Sequence, residues 1–202
     1  AVVAAVAAQW QAPGYCHGLD CPIFKELYND PSANITYRQY QGAVWVRTNV
    51  TGISYKDALN EGFNKLFDYI SGANDQGIKV DMTTPVNTQV LSGAGPFCAS
   101  TFIVSFYAPY IYQQAGNPPP TPTDPTVYVQ FVEETTKAVY GFGGYADKWQ
   151  PWVDPSVYLY SYLEDQSPPV PLVTEYEWTN QYDSPFKPVH RHNEVWIDIE
   201  YS

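Results

Sequence analysis

The stretch "ITYRQYQGAVWVRTNVTGISYKDALNEGFNKLFDYI", residues 35 to 70, carries both of the periodicities from which a fold can be read. Its first half holds two runs rich in β-branched and aromatic residues, ITYRQY (35 to 40) and AVWVRTNV (43 to 50), separated by Gln41-Gly42. Such side chains suit a pleated surface and a glycine-containing break suits a tight turn, so the reading is two strands paired through a hairpin. The second half changes period. Ala58, Leu59, Phe63, Leu66, Phe67 and Ile70 recur at three- and four-residue steps behind Ser54, whose hydroxyl suits an N-cap. This predicts an amphipathic helix that ends at Gly72.

Working outward, "GIKVDMTTPVNTQVL" (77 to 91) reads as extended chain interrupted at Pro85, and "STFIVSFY" (100 to 107) as a largely buried strand. The proline-rich "QQAGNPPPTPTDPTV" (113 to 127) lies between strands and is expected to be a long surface loop within one domain. "VYVQFVEE" and "KAVYGFGGY" read as a second hairpin around Thr135-Thr136. A second helix is expected between Tyr145 and Leu163, with Pro151 and Pro155 confining its regular part to the later half or breaking it in two. "PLVTEYEW" and "NEVWIDIEY" close the chain as strands. Residues 35 to 91 and 100 to 180 thus both run strand, strand, helix, strand. The fold class is α+β: an antiparallel sheet, curved or closed, with both helices packed outside it. Residues 1 to 33, rich in Pro, Gly and Asn, are expected to be an irregular segment draped on a single domain spanning 34 to 202.

Ten basic against 21 acidic residues give a formal charge of −11, which repels polyanions and argues against nucleic acid or an anionic membrane as partner. No apolar run reaches the ~18 residues of a membrane span. The opening "AVVAAVAAQW" has the small-residue texture of a signal-peptide end, as a remnant or as a genuine mature start. Two N-x-S/T sequons, at Asn34 and Asn49, join it in pointing to a secreted protein. Cys16 and Cys21 bracket "HGLD" at a spacing that can close a small disulfide loop, whereas Cys98 is either a leftover thiol or the true partner.

Candidate chemistry is sparse. In "PFKPVHRHNEVW" (185 to 196) a strand would place His190 and His192 on one face near Glu194, a pattern that can hold a metal, but a solvated polar turn is the preferred reading. His17 reads as a surface residue and Met82 as structural. Glu133-Glu134 and Glu175 with Glu177 read as exposed pairs, and no Ser/His/Asp or Cys/His nucleophile constellation is visible, so a non-catalytic role is the preferred reading, with an enzyme acting on a small apolar ligand and an interaction protein with a vestigial pocket as the alternatives. Phe63 and Phe67, four apart on the predicted helix, present either a stacking face for a flat ligand or part of the core, with Lys65 the only cation nearby.

The blocks "YRQYQGAVWVRT", "SYKDALNEGFNKLFDYISGAND", "KVDMTTPV", "NPPPTPTDPTV", "AVYGFGGYA" and "YDSPFKPVHRHNEVWI" occur in unbroken order and together resemble the SOUL/heme-binding protein family over residues 35 to 199. The resemblance implies a distorted β-barrel of two strand-helix repeats. It also implies a carrier or buffer of heme, porphyrin or bilin, with an apolar surface beside the first helix as the seat of the macrocycle. Some members carry a histidine in the first strand where this chain has Gln39, and basic residues on the first helix where this chain has Asn60 and Asp68. The ligand set so implied is Gln39, Asn60, Phe63, Lys65 and Phe67, with no axial iron ligand and no other metal.

Overall fold

The computed structural model describes residues 9–52, 54–91 and 100–201. The two ends of the first hairpin reading are indeed strands: β2 (Ile35–Tyr40) and β3 (Ala43–Gly52), preceded by β1 (Phe24–Asp30). Helix α1 (Tyr55–Ile70) follows, then β4 (Val86–Leu91), β5 (Ser100–Tyr107), β6 (Val127–Val132), β7 (Thr135–Phe142), α2 (Gln150–Glu164), β8 (Leu172–Gln181) and β9 (Asn193–Ile199). The nine described strands form one antiparallel sheet in the order β1-β2-β7-β9-β8-β4-β5-β3-β6. This is the expected α+β class, with a barrel-like sheet left open between edge strands β1 and β6.

The hairpins are the correction. β2 does not pair with β3; it pairs with β7, from Ile35 opposite Tyr140 to Tyr40 opposite Thr135. β3 pairs with β6 in the same register, from Ala43 opposite Val132 to Thr48 opposite Val127. The β2–β3 run and the β6–β7 run are therefore two long antiparallel ribbons lying along each other, both bent at Gln41-Gly42 and Glu133-Glu134. A two-residue hairpin turn would need a left-handed backbone at its glycine, and Gly42 is absent from the positive-φ glycines. Gly42 serves close approach instead: a Cβ there would lie 2.8 Å from the Phe131 ring and 3.2 Å from the Glu134 amide. Sequence periodicity finds strands but is blind to which strand lies beside which.

The ribbon exchange sets a pseudo-twofold relation in which β2, β3, α1, β4 and β5 correspond to β6, β7, α2, β8 and β9. β5 thus closes the first repeat rather than opening the second. The segment 1 to 33 is likewise not wholly irregular, because β1 adds to β2 along its length. Residues 1 to 8 and Cys98 lie outside the described residues.

Local sequence explains the helices. The Ser54 hydroxyl accepts the Asp57 amide at 3.3 Å, capping α1. Gly62 lets α1 close on the sheet, since a Cβ there would sit 2.4 Å from the Val104 side chain. α2 runs through Pro155 unbroken. Pro151 occupies the first turn, where an amide has no helical partner, and Pro155 forfeits one bond near the same end. The proline-rich loop belongs to the domain: Tyr69 donates to the Pro120 carbonyl at 2.8 Å, and Asp75 and Thr121 exchange bonds of 2.8 Å. One core, including Leu66, Val104, Trp152, Leu159 and Ile197, fills the space between helices and sheet. The opposite face of the sheet carries a smaller cluster of Phe24, Tyr40, Val139, Tyr182 and Trp196 beneath residues 14–22.

Candidate functional site

On the helix side, α1 turns two rings toward solvent. Phe63 and Phe67 stack at 5.8 Å with planes 14° apart, and Phe63 meets Phe106 edge-on at 5.4 Å. Phe63 is half-buried and anchors the pair in the core, whereas Phe67 is 48% exposed. The two sequence readings of this pair therefore divide between its members. Asn60 and Asp68 are exposed on the same helix, and Lys65 is held by Glu61 at 2.8 Å. Gln39 is on β2, where it donates to Glu134 at 2.6 Å, and no described hydrogen bond or ring contact joins it to α1. The residue set inferred from the resemblance is thus an aromatic ledge with one tethered cation, plus a glutamine on a different strand.

This ledge suits the face of a flat apolar ligand. It offers no imidazole for iron: the three histidines belong to the other side of the molecule. His17 contacts Asp183 and Lys187, His192 contacts Glu194, and His190 is an exposed residue at φ 52°. Among the described residues no cluster of His, Cys, Asp or Glu is arranged to hold a metal.

The reading of residues 185 to 196 as a solvated turn holds for His190 but not for Glu194. Glu194 has no exposed surface. Its Oε1 accepts from Tyr15 at 2.6 Å and from Arg38 at 2.9 Å and meets the His192 ring at 3.0 Å. Its Oε2 accepts from Trp196 at 2.7 Å and Tyr182 at 2.8 Å. Burial alone would push this carboxyl up, but the Arg38 guanidinium and the converging donors hold it well below the usual carboxylate range. Burial pushes Tyr15 and Tyr182 up, and the adjacent Glu194 charge adds to it, so both stay protonated and donate. A carboxylate so committed is a poor proton acceptor. Its role is to organise the face around it.

Tyr15 reaches Glu194 from the strap of residues 14–22, which is closed by the Cys16–Cys21 disulfide, as the spacing suggested. Its ring stacks on His192 at 3.8 Å, and Cys16 and Cys21 are both buried. Sequence reasoning missed this network because its partners lie 179 and 156 positions from Glu194. A faint signal was available in β9, where Asn193, Glu194 and Asp198 sit in a strand buried along its whole length. Glu177 is half-buried rather than exposed, and burial raises its carboxyl above the ordinary value.

The chain can now be set beside known proteins. Residues 19–198 match the family model described as SOUL heme-binding protein. Heme-binding protein 2 of Homo sapiens is 35% identical over 160 residues, covering 79% of this chain and 75% of the relative. Heme-binding protein 2 of Mus musculus is 33% identical over 181 residues, covering 89% and 85%. Among solved structures, the EcmrR C-terminal domain superposes with a TM-score of 0.57 over 83% of this chain and 98% of that one, at 10% identity, a likeness of fold alone. The family match begins inside the disulfide strap and runs to β9, so it takes in the ledge and, apart from Tyr15, the Glu194 network: the chain belongs to the SOUL heme-binding protein family.

Proposed function

We propose that this protein is a secreted, non-catalytic carrier or buffer of a tetrapyrrole, which rests its flat face on the Phe63–Phe67 ledge of α1. The observation that carries the placement is the pairing of a core-anchored ring with a parallel ring 48% exposed. An aromatic surface left in water by a helix with an otherwise buried inner face gains by covering. Membership of the heme-binding family supports the ligand class. With Gln39 tied to Glu134 and no imidazole on this face, binding is by stacking and does not require iron.

Secretion is supported by the Cys16–Cys21 disulfide, a bond that persists in oxidising compartments. It is supported also by the two sequons. Asn49 is exposed with its amide oxygen engaged by Tyr128, and Asn34 is exposed with its nitrogen donating to the Gly141 carbonyl, so Asn49 is the freer acceptor of a glycan.

The test is an absorption titration with hemin, protoporphyrin IX and biliverdin in parallel. Hemin and protoporphyrin IX are expected to bind saturably with similar affinity, and Phe67→Ala to weaken both by about tenfold, the loss of one stacked ring. No saturable shift with any of the three ligands would sink the carrier reading. A strong preference for hemin over the metal-free ring would place the ligand elsewhere, against an iron-binding side chain.

A further inference from the structure

The open sheet has two edges, and they are built differently. β1 is blunted: Lys25, Glu26 and Asp30 charge it, and its register shifts between Glu26 and Tyr28. Gln11 bridges its first residue, Phe24, through bonds of 2.9 and 3.0 Å, and the Lys25 ammonium lies 4.2 Å from the Trp10 ring. β6 reads VYVQFV, with no charge, no proline and no bulge along its length. Val129 is 38% exposed and Phe131 55%, and among the described residues no strand lies outside β6. An apolar edge left in that state is a template for another strand.

The ladder fixes which backbone groups this edge offers. Opposite residues in an antiparallel pair alternate between exchanging hydrogen bonds and turning their N–H and C=O away from each other. Val44, opposite Phe131, donates its amide to the Gln113 side chain at 2.7 Å, and its carbonyl accepts from Gln113 and from the Ala108 amide, each at 3.0 Å. Both groups thus point to the β5 side, so Val44 and Phe131 do not bond each other. At Val127 the amide likewise bonds the Asp124 carbonyl, at 3.1 Å, and not β3. The two-residue period then puts the N–H and C=O of Val129 and Phe131 on the open side of the sheet.

Side chains follow the same period. Val129 and Phe131 share the sheet face of Val46 and Phe106, which belong to the core, whereas Tyr128 and Gln130 are on the other face, bonded to Asn49 and Arg47. A glycan at Asn49 would stand on that other face and leave Val129 and Phe131 clear. The ends of the strand are acidic. The Thr126 amide and hydroxyl hold Asp124, just before β6, below the usual carboxylate range, and the exposed Glu133 and Glu134 follow Val132. Lys65, which also acts on Asp124, is tied to Glu61 at 2.8 Å. A second copy of the chain would bring these acids toward one another and set −11 against −11, whereas a basic strand gains from both.

We propose that the β6 edge binds an extended basic peptide segment by strand addition. The segment bonds the backbone of Val129 and Phe131, sets two apolar side chains at alternate positions beside theirs, and turns Lys or Arg toward Asp124 at one end and toward Glu133 and Glu134 at the other. Backbone pairing supplies the affinity, the alternate apolar positions fix the register, and the acidic ends select the charge of the partner. The site is separate from the α1 ledge and does not depend on the tetrapyrrole reading.

The probe is the labelled peptide Arg-Lys-Val-Thr-Val-Lys-Arg, blocked at both ends and titrated by fluorescence anisotropy against the oxidised full chain. Saturable 1:1 binding is expected, weaker as salt is raised. The same peptide N-methylated at its two valines keeps its side chains and charge but cannot pair, and is expected to bind about tenfold more weakly or worse. A version with Glu in place of every Arg and Lys is expected to lose at least as much. In the wild type, the Val129 and Phe131 amides become protected from solvent exchange when the peptide binds, while those of Tyr128 and Gln130 do not change, a readout independent of any variant. Val129→Pro removes an outward N–H without breaking a bond to β3, and abolishes binding. Phe131→Thr keeps both backbone groups and weakens binding several-fold. Equal binding of the N-methylated or the acidic peptide, unprotected Val129 and Phe131 amides, absence of binding by all three peptides, or dimers of the chain itself that Val129→Pro dissociates would each overturn the proposal.

Discussion

Arg38 and Arg47 sit nine residues apart on the two arms of one bent ribbon, both on the sheet face away from the helices, and both are buried. Around Arg38 the charge is met from within, although its buried Nε has no hydrogen-bond partner: Glu194 supplies the opposite charge, and Tyr15, Tyr182, His192 and Trp196 complete the carboxylate's shell. The strap then covers the assembly. Around Arg47, just as deeply buried, the hydrogen-bond acceptors are amides and a hydroxyl. One region carries a cation with its counter-charge; the other carries a cation held by neutral partners. Arg191 is a useful third case. It too is buried with no ion pair to a carboxylate among the described residues, but three backbone carbonyls of its own loop wrap it.

Breaking the finished region should give the largest effect. Glu194→Ala strands Arg38 in a buried site, a loss of about 3–5 kcal/mol in urea denaturation by the general behaviour of broken buried pairs. Replacing both partners, Arg38→Met with Glu194→Leu, should recover part of that, because no uncompensated charge remains while Tyr15, Tyr182 and Trp196 lose an acceptor. The pH dependence follows from the same group. The folded carboxyl titrates below its unfolded value of 4.5, so its stabilisation is fully present above about pH 4.5 and is lost as pH falls toward the folded value. Glu194→Gln should flatten that acid limb. If Glu194→Ala melted like the wild type, the closed character of this region would be wrong.

The strap offers the middle-sized effect. Opening the Cys16–Cys21 loop by Cys16→Ser with Cys21→Ser should cost about 2 kcal/mol in the chain-entropy account of a five-residue closure. Its local signature separates the two regions: hydrogen exchange should rise around Tyr15 and Tyr182, which depend on the strap, and stay unchanged at Gln89 and Ser105 beside Arg47. Equal loosening at both would mean that the strap holds the whole face.

What the sequence made legible was local. The period of Ala58 through Ile70 located α1 to within two residues and its Ser54 cap where it lies, because helix contacts are made within one turn. Strand composition located β2, β3, β5 and β9 for the same reason. Two failures are local, β1 read as irregular chain and α2 expected to be cut by its prolines; the others are relations at a distance: the hairpins that proved to be ribbons exchanged between halves, β5 assigned to the wrong repeat, and Glu194 read with its neighbours rather than with Tyr15 and Arg38. Gly42 shows the limit most plainly. A glycine between strands signals either a turn or a close contact, and only the position of Phe131 and Glu134 decides which. The ledge was half legible, since the spacing of Phe63 and Phe67 put them on one face but only the packing of Phe106 showed which ring is anchored.

The smallest effect carries the comparison furthest. Arg47→Met removes three hydrogen bonds to neutral partners, each of which contributes about 1 kcal/mol or less net, and at the same time removes a buried charge that nothing offsets. The two changes oppose each other, and the methionine stem refills much of the volume beside Trp178. Urea denaturation should therefore place this variant within about 1 kcal/mol of the wild type or above it, in contrast to the several kcal/mol expected at Glu194. Two buried arginines on one ribbon would then differ in kind: Arg38 supports stability through its carboxylate partner, whereas Arg47 adds little to it or costs some. A loss at Arg47 as large as that at Glu194 would erase the distinction.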